Sequence, residues 1–254
     1  MTTSSRAGSA SENTSTHQKV NSRRRNWLGF LLIAFALIFS HPARAGGTWA
    51  PLAHAPPAGL NNGLLLGDGT IMCGDGGQNW YRLTPDVHGS YVNGTWTTMA
   101  SMHYTRLFYA SQVLTNGNVF VCGGEYGTGR GNGEIYNPLQ NVWTLTPLPG
   151  IGYSDAESKM LPSGNVVMEH DVYNVAANAW APDSALQGQG EAAWVKLPDD
   201  SILTVDGGAS TAERFIPAAN RWIADATCPV PLYGYGYEEG AAHVLPNGKV
   251  FFIG

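Results

Sequence analysis

The stretch Arg106–Trp143 reads RLFYASQVLTNGNVFVCGGEYGTGRGNGEIYNPLQNVW, and it decides the fold. Within it stand an apolar run, the turn dipeptide Asn116-Gly117, a second apolar run Asn118–Cys122, the pair Gly123-Gly124, the acid Glu134 two residues before Tyr136, and Trp143 nine residues after that acid. Turn dipeptides between short apolar runs predict hairpins, and paired glycines mark a backbone that must turn with positive φ or pack closely. The pattern returns along the chain. Trp49, Trp96, Trp143, Trp180 and Trp222 follow at intervals of 47, 47, 37 and 42 residues. Turn dipeptides recur at Asp68-Gly69, Ser163-Gly164, Asp199-Asp200 and Asn247-Gly248, paired glycines at Gly76-Gly77 and Gly207-Gly208. The acid and its aromatic recur as Asp171 with Tyr173 and Glu213 with Phe215. Four antiparallel strands in each 40–50 residues predict the blades of an all-β propeller. The third unit has His170-Asp171 in place of Gly-Gly and is the shortest, which predicts a clipped loop between its second and third strands.

The chain has 254 residues with 32 glycines, and only 13% of it is charged. No G-X-Y period accompanies the glycine, and eight Trp with 11 Tyr are too many for a disordered chain. Residues 1–45 hold six of the 14 basic groups and one of the 19 acids, which leaves a body of eight basic and 18 acidic residues. So acidic a body, without basic clusters, argues against nucleic acid and anionic membrane as partners.

Residues 1–22 are polar without apolar periodicity and are expected to be disordered. Residues 23–45 read as a signal peptide: Arg23-Arg24-Arg25, the apolar run Trp27–Phe39, and Ala43-Arg44-Ala45, with cleavage after Ala45. The competing reading is a membrane anchor, but thirteen apolar residues fall short of the ~20 that span a bilayer. Arg24-Arg25-Asn26-Trp27-Leu28 also resembles a twin-arginine signal, so both the Sec and the twin-arginine routes stay open to a secreted or periplasmic protein. Residues 46–254 are then the propeller. Gly47-Thr48-Trp49 repeats Gly94-Thr95-Trp96, so the mature chain is expected to open on a lone Trp-bearing strand. With four full units and half a fifth, about four and a half blades, the count predicts a ring truncated at its C-terminal side, with open strand edges.

The Gly-Gly, acid-x-aromatic and Trp marks resemble the kelch family over residues 46–254. LTPDVHGSYVNGTW at Leu83–Trp96, the Arg106–Tyr126 stretch and LPNGKVFFIG at Leu245–Gly254 resemble secreted bacterial proteins of the galactose oxidase and glyoxal oxidase-like superfamily. That resemblance implies one copper held by two Tyr and two His, with one Tyr cross-linked to a Cys. The residues depart from it. The cross-linked Tyr would fall on Phe108, its Cys partner in Leu52–Leu60 where there is none, and a Tyr-His pair on Glu238 and Glu239. Copper-radical oxidation is therefore not expected from these residues. His54, His88, His103, His170 and His243 share no ligand spacing. Cys73 is four residues past its turn glycine and Cys122 five past its own, so they face opposite ways and are not expected to pair.

One constellation remains. Six residues before the strand leucines Leu114, Leu161, Leu197 and Leu245 stand Phe108, Asp155, Glu191 and Glu239. In a propeller that register opens the innermost strand at the channel mouth. Asp155, Glu191 and Glu239, with Glu238 and the aromatics Phe108 and Tyr235, are the expected ligand-binding residues. Oxygen-only donors suit Ca²⁺, so calcium at Asp155, Glu191 and Glu239 is the metal expectation. The competing reading makes these acids caps on neighbouring backbone, repeated because the packing repeats. No complete catalytic set is present. The expectation is a binding module for glycan or protein ligands, and the alternative is an oxidoreductase whose remaining residues lie on further blades.

Overall fold

The computed structural model describes residues 47–183, 185–206, 209–232 and 240–254. The leader, Gly207-Gly208, Tyr235, Glu238 and Glu239 lie outside the described residues. Four four-stranded antiparallel sheets and one hairpin follow each other along the chain, as a β-propeller requires. Blade one is β1 (Asn62–Leu65), β2 (Ile71–Gly74), β3 (Trp80–Thr84) and β4 (Thr95–Thr98). Blade two is β5 (Ala110–Val113), β6 (Val119–Cys122), β7 (Gly133–Asn137) and β8 (Val142–Leu145). Blade three is β9 (Lys159–Met160), β10 (Val166–Val167), β11 (Asp171–Asn174) and β12 (Ala179–Pro182). Blade four is β13 (Trp194–Lys196), β14 (Ile202–Val205), β15 (Ala212–Ile216) and β16 (Arg221–Asp225), and the hairpin is β17 (Ala242–Val244) with β18 (Val250–Phe252). Residues 47–61 form no strand, so the expected Trp49 strand is absent, and Trp49 is fully exposed.

The tight turns are of one kind. In blade two Leu114 N–H donates to Asn118 O and Gly117 N–H to Leu114 O, and the same pair of bonds recurs from Leu66, Leu161, Leu197 and Leu245. Only the last loop residue is left-handed: Gly69, Gly117, Gly164, Asp200 and Gly248, with φ between 66° and 83°. This is a type I turn closed by a bulge rather than the two-residue hairpin that the dipeptides suggest.

Tryptophan recurs because it does two jobs, each in three of the four blades: Trp96 pairs with Leu83 rather than an aromatic, and the Trp222 Nε1 meets no acceptor among the described residues. Tyr136 and Trp143, Tyr173 and Trp180, and Phe215 and Trp222 are cross-strand partners, with ring centroids 5.0, 4.9 and 5.4 Å apart. The indole Nε1 then reaches about one blade back: Trp96 to His54 O (3.2 Å), Trp143 to Ala100 O (2.9 Å), Trp180 to Pro147 O (2.9 Å). Side chains of β6 show how neighbouring blades share a core. Val119 and Val121 pack with Met72 and Trp80 of blade one, while Phe120 and Cys122 pack with Val166, Met168 and Tyr173 of blade three. A strand buried on both faces must be apolar at every position, and VFVC is. Burying each such aromatic contributes about 1.5–3 kcal/mol. Cys73, Cys122 and Cys228 are free thiols. In blade three Met168 N–H donates to Asp171 O, so two strands meet almost without a loop, as the missing Gly-Gly implies.

Candidate functional site at the channel mouth

Antiparallel blades put the connectors between blades, and the loops between second and third strands, at one end of every sheet. Phe108, Asp155 and Glu191 lie on those connectors, two, four and three residues before β5, β9 and β13. The expectation had them opening the strands; they sit on the approach instead. All three are left-handed, with φ of 48°, 43° and 66°. Non-glycine residues rarely hold that conformation, and here it recurs at one register in three successive blades.

A third carboxylate joins from a different loop. Gly124 N–H donates to Tyr153 O (3.1 Å), Glu125 N–H to Leu107 O (2.8 Å) and Gly129 N–H to Thr105 O (2.8 Å). The Gly123–Gly129 loop is thereby stitched between the connectors that enter blades two and three, and Glu125 is set beside Asp155. Glycine is required at its start. Gly123 has φ 84°, and a Cβ there would lie 3.0 Å from both the Cβ and the carbonyl oxygen of Tyr153.

Carboxylate oxygens of Glu125, Asp155 and Glu191 lie within 4.8 Å of one another, and each residue is half-buried. Among the described residues no other three His, Cys, Asp or Glu side chains come as close. Burial, then the neighbouring Glu125 and Glu191, pushes the Asp155 carboxyl up to about 7, well above the usual carboxylate range. Beside it Phe108 and Tyr126 meet edge to face at 6.5 Å, both exposed. A hydrogen bond to Glu125 and that carboxylate's charge hold the Tyr126 phenol above its usual range. The cleft is about 250 Å³ and is lined by Phe108, Tyr109, Asp155, Glu157 and Glu191. Glu157 pairs with Lys159 (3.3 Å).

Asp155, Glu191 and Phe108 thus come together as the register implies, while Glu239, Glu238 and Tyr235 lie outside the described residues. Sequence reasoning missed Glu125 and Tyr126, although both directly follow Gly123-Gly124. Three of the described histidines are otherwise engaged: His54 Nδ1 with Gly94 O, His103 with Glu134, His170 with Glu169. A larger groove of about 580 Å³ lies at the opposite end of blades three and four, between Pro162, Asp199, Ile216 and Pro217. Its carboxylates are committed, Asp199 to Ser201 and Asp200 to Lys196.

Copper does not fit the residues described at this site. Phe108 has no phenol, and Tyr109 turns inward to accept a bond from Asn62 Nδ2 (3.0 Å). Cys122 faces blade three. Carboxylate oxygens are hard donors, whereas copper favours imidazole and thiolate.

No family model and no curated protein matches the chain. Among solved structures, YjhT matches with a TM-score of 0.53 at 15% identity, over 69% of this chain and 68% of its own. A fungal alcohol oxidase of the AA5 family, solved in complex with copper, aligns at 17% identity and a TM-score of 0.42, over 75% of this chain and 57% of its own. This chain therefore spans a little over half the length of that oxidase. The likeness to YjhT is one of fold, and the fold is the β-propeller.

Proposed function

We propose that the protein is an exported kelch-type binding propeller that takes a glycan at the channel mouth. The observation that carries this reading is the convergence of Glu125, Asp155 and Glu191 beside the exposed Phe108–Tyr126 edge. Carboxylates accept hydrogen bonds from sugar hydroxyls, and aromatic faces cover the apolar side of a sugar ring. Binding of a broad glycan panel, followed by calorimetry on any hit, tests it. Glu125→Gln and Asp155→Asn are expected to weaken binding at least about tenfold, since each exchanges a carboxyl acceptor oxygen for an amide donor, while melting curves stay close to the parent's. A panel without hits, or hits indifferent to both variants, overturns the reading. The trio's spacing also suits a bridging Ca²⁺, and binding lost on chelation and restored by calcium would make the sugar site ion-dependent.

Export rests on residues 23–45. Mature protein recovered outside the cytoplasm is expected to begin at Gly46, and an N-terminus that keeps Trp27–Phe39 would show an anchor instead.

A further inference from the structure

The hydroxyl of Thr128 stands at the root of both walls of the mouth. Thr128 is half-buried, and its Oγ1 accepts from Leu107 N–H (3.1 Å) and donates to Glu125 O (2.7 Å). The same two residues are also joined directly. Glu125 N–H donates to Leu107 O (2.8 Å), and Thr128 N–H adds a second bond to Glu125 O (3.0 Å). Leu107 thus gives both of its backbone groups to the Gly123–Gly129 loop. One step beyond Leu107 is Phe108, and one step beyond Glu125 is Tyr126. Both are left-handed, with φ of 48° and 52°, and theirs are the two rings that meet edge to face.

The loop is shaped around this hydroxyl. A Cβ at Gly124 would lie 2.5 Å from Thr128 Oγ1 and 3.0 Å from the Thr128 carbonyl carbon, so a side chain at 124 and the bonded hydroxyl exclude each other. Without the hydroxyl, Leu107 N–H has no acceptor, and the bond from Glu125 N–H is left to hold the residue before Phe108 against the loop. An orphaned donor in a half-buried place is costly, and the cheapest relief is for loop and connector to part and admit water.

We propose that Thr128 is the positioning residue of the mouth: its hydroxyl locks the Glu125 carboxylate and the Phe108–Tyr126 edge into one arrangement, so that acceptor and aromatic wall meet the same sugar. It acts through those residues rather than on the ligand. The role takes its purpose from the glycan reading of the mouth, but the geometry behind it can be tested with no ligand at all.

Asp155 is the reporter. Its carboxyl is pushed up to about 7 by burial first and then by the hydrogen bond with Glu125, with the charges of Glu191 and Glu125 adding to it. Glu191 belongs to another connector, so a change at Thr128 reaches Asp155 by way of Glu125. In Thr128→Val, an NMR titration of side-chain carboxyls in the full chain is expected to find Asp155 titrating well below the parent's value of about 7, displaced in the same direction as in Glu125→Gln. Thr128→Ser keeps the hydroxyl and should titrate as the parent does. In a Glu125→Gln background Thr128→Val should add no further shift, because both changes remove the same neighbour. The mutual ring-current shifts of Phe108 and Tyr126 should be lost with valine and kept with serine. A merely structural role lowers the melting temperature and leaves Asp155 where it was, and that outcome overturns the proposal. A displacement that Thr128→Ser shares in full overturns it as well. Should Thr128→Val fail to fold, Thr128→Ala removes the hydroxyl without crowding the loop and is read in the same way. A glycan panel without hits beside a displaced Asp155 sinks the sugar reading and leaves Thr128 its role; hits beside an unmoved Asp155 do the reverse.

Discussion

Arg106→Met is expected to lower the free energy of unfolding by about 3–5 kcal/mol, the usual cost of removing one partner from a buried ion pair. The guanidinium has no exposed surface and holds four acceptors. Nη1 donates to Gly123 O and Asn132 O, both at 2.7 Å, and Nη2 to Glu134 Oε1 (3.0 Å) and Asn132 Oδ1 (3.4 Å). Methionine fills much of the volume and satisfies none of them. Glu134 would keep His103 N–H and the His103 ring (2.7 Å), so its burial stays partly compensated. The two carbonyls would not, and each orphaned buried acceptor costs about 1–3 kcal/mol. Urea unfolding with a fixed m-value is the measurement, and a loss below about 1 kcal/mol would show that water replaces the guanidinium. Arg106→Lys separates charge from geometry. An ammonium cannot fork across Gly123 O, Asn132 O and Glu134 at once, so most of the loss should remain.

The periodic features were legible in sequence because each is a local consequence of one blade. In blades two, three and four the outer-strand Trp pairs with an aromatic two residues after an acid, and register alone gives their spacing of seven. The register of Phe108, Asp155 and Glu191 carried through to space for the same reason. Glu125 did not show itself, because its place beside Asp155 depends on hydrogen bonds from one loop to two others, at Leu107 and Tyr153. No period in the sequence encodes that. The turn type is not legible in the dipeptides, because Asn116-Gly117 and Asp68-Gly69 also suit the tighter hairpin. Only the position of the leucine, which accepts from the glycine three residues on, separates the two.

Gly129→Ala is expected to cost about 2–5 kcal/mol and to dismantle the mouth along with it. Gly129 has φ 71°, a conformation that costs an alanine about 1–2 kcal/mol by itself. An added methyl would also overlap the Gly123 carbonyl oxygen and lie 2.8 Å from both the Gly123 carbonyl carbon and Arg106 Nη1. Backbone cannot swing aside as a side-chain end can, and overpacking of this kind adds about 1–3 kcal/mol. Gly127 provides the comparison. It is left-handed as well, at φ 74°, but open space surrounds the position of its Cβ. Gly127→Ala should therefore lose only the conformational part, about 1–2 kcal/mol. The two variants also separate stability from function. The oxygen that Gly129→Ala displaces is the one that anchors Arg106, at the root of the loop that carries Glu125 and Tyr126. At a temperature where both variants are folded, Gly129→Ala should bind the mouth ligand more than about tenfold more weakly than Gly127→Ala, a difference of roughly 1.4 kcal/mol or more. Equal binding in the two would mean that Glu125 keeps its place without the Gly123–Arg106 anchor, and the connectors at Leu107 and Tyr153 would then hold the mouth alone.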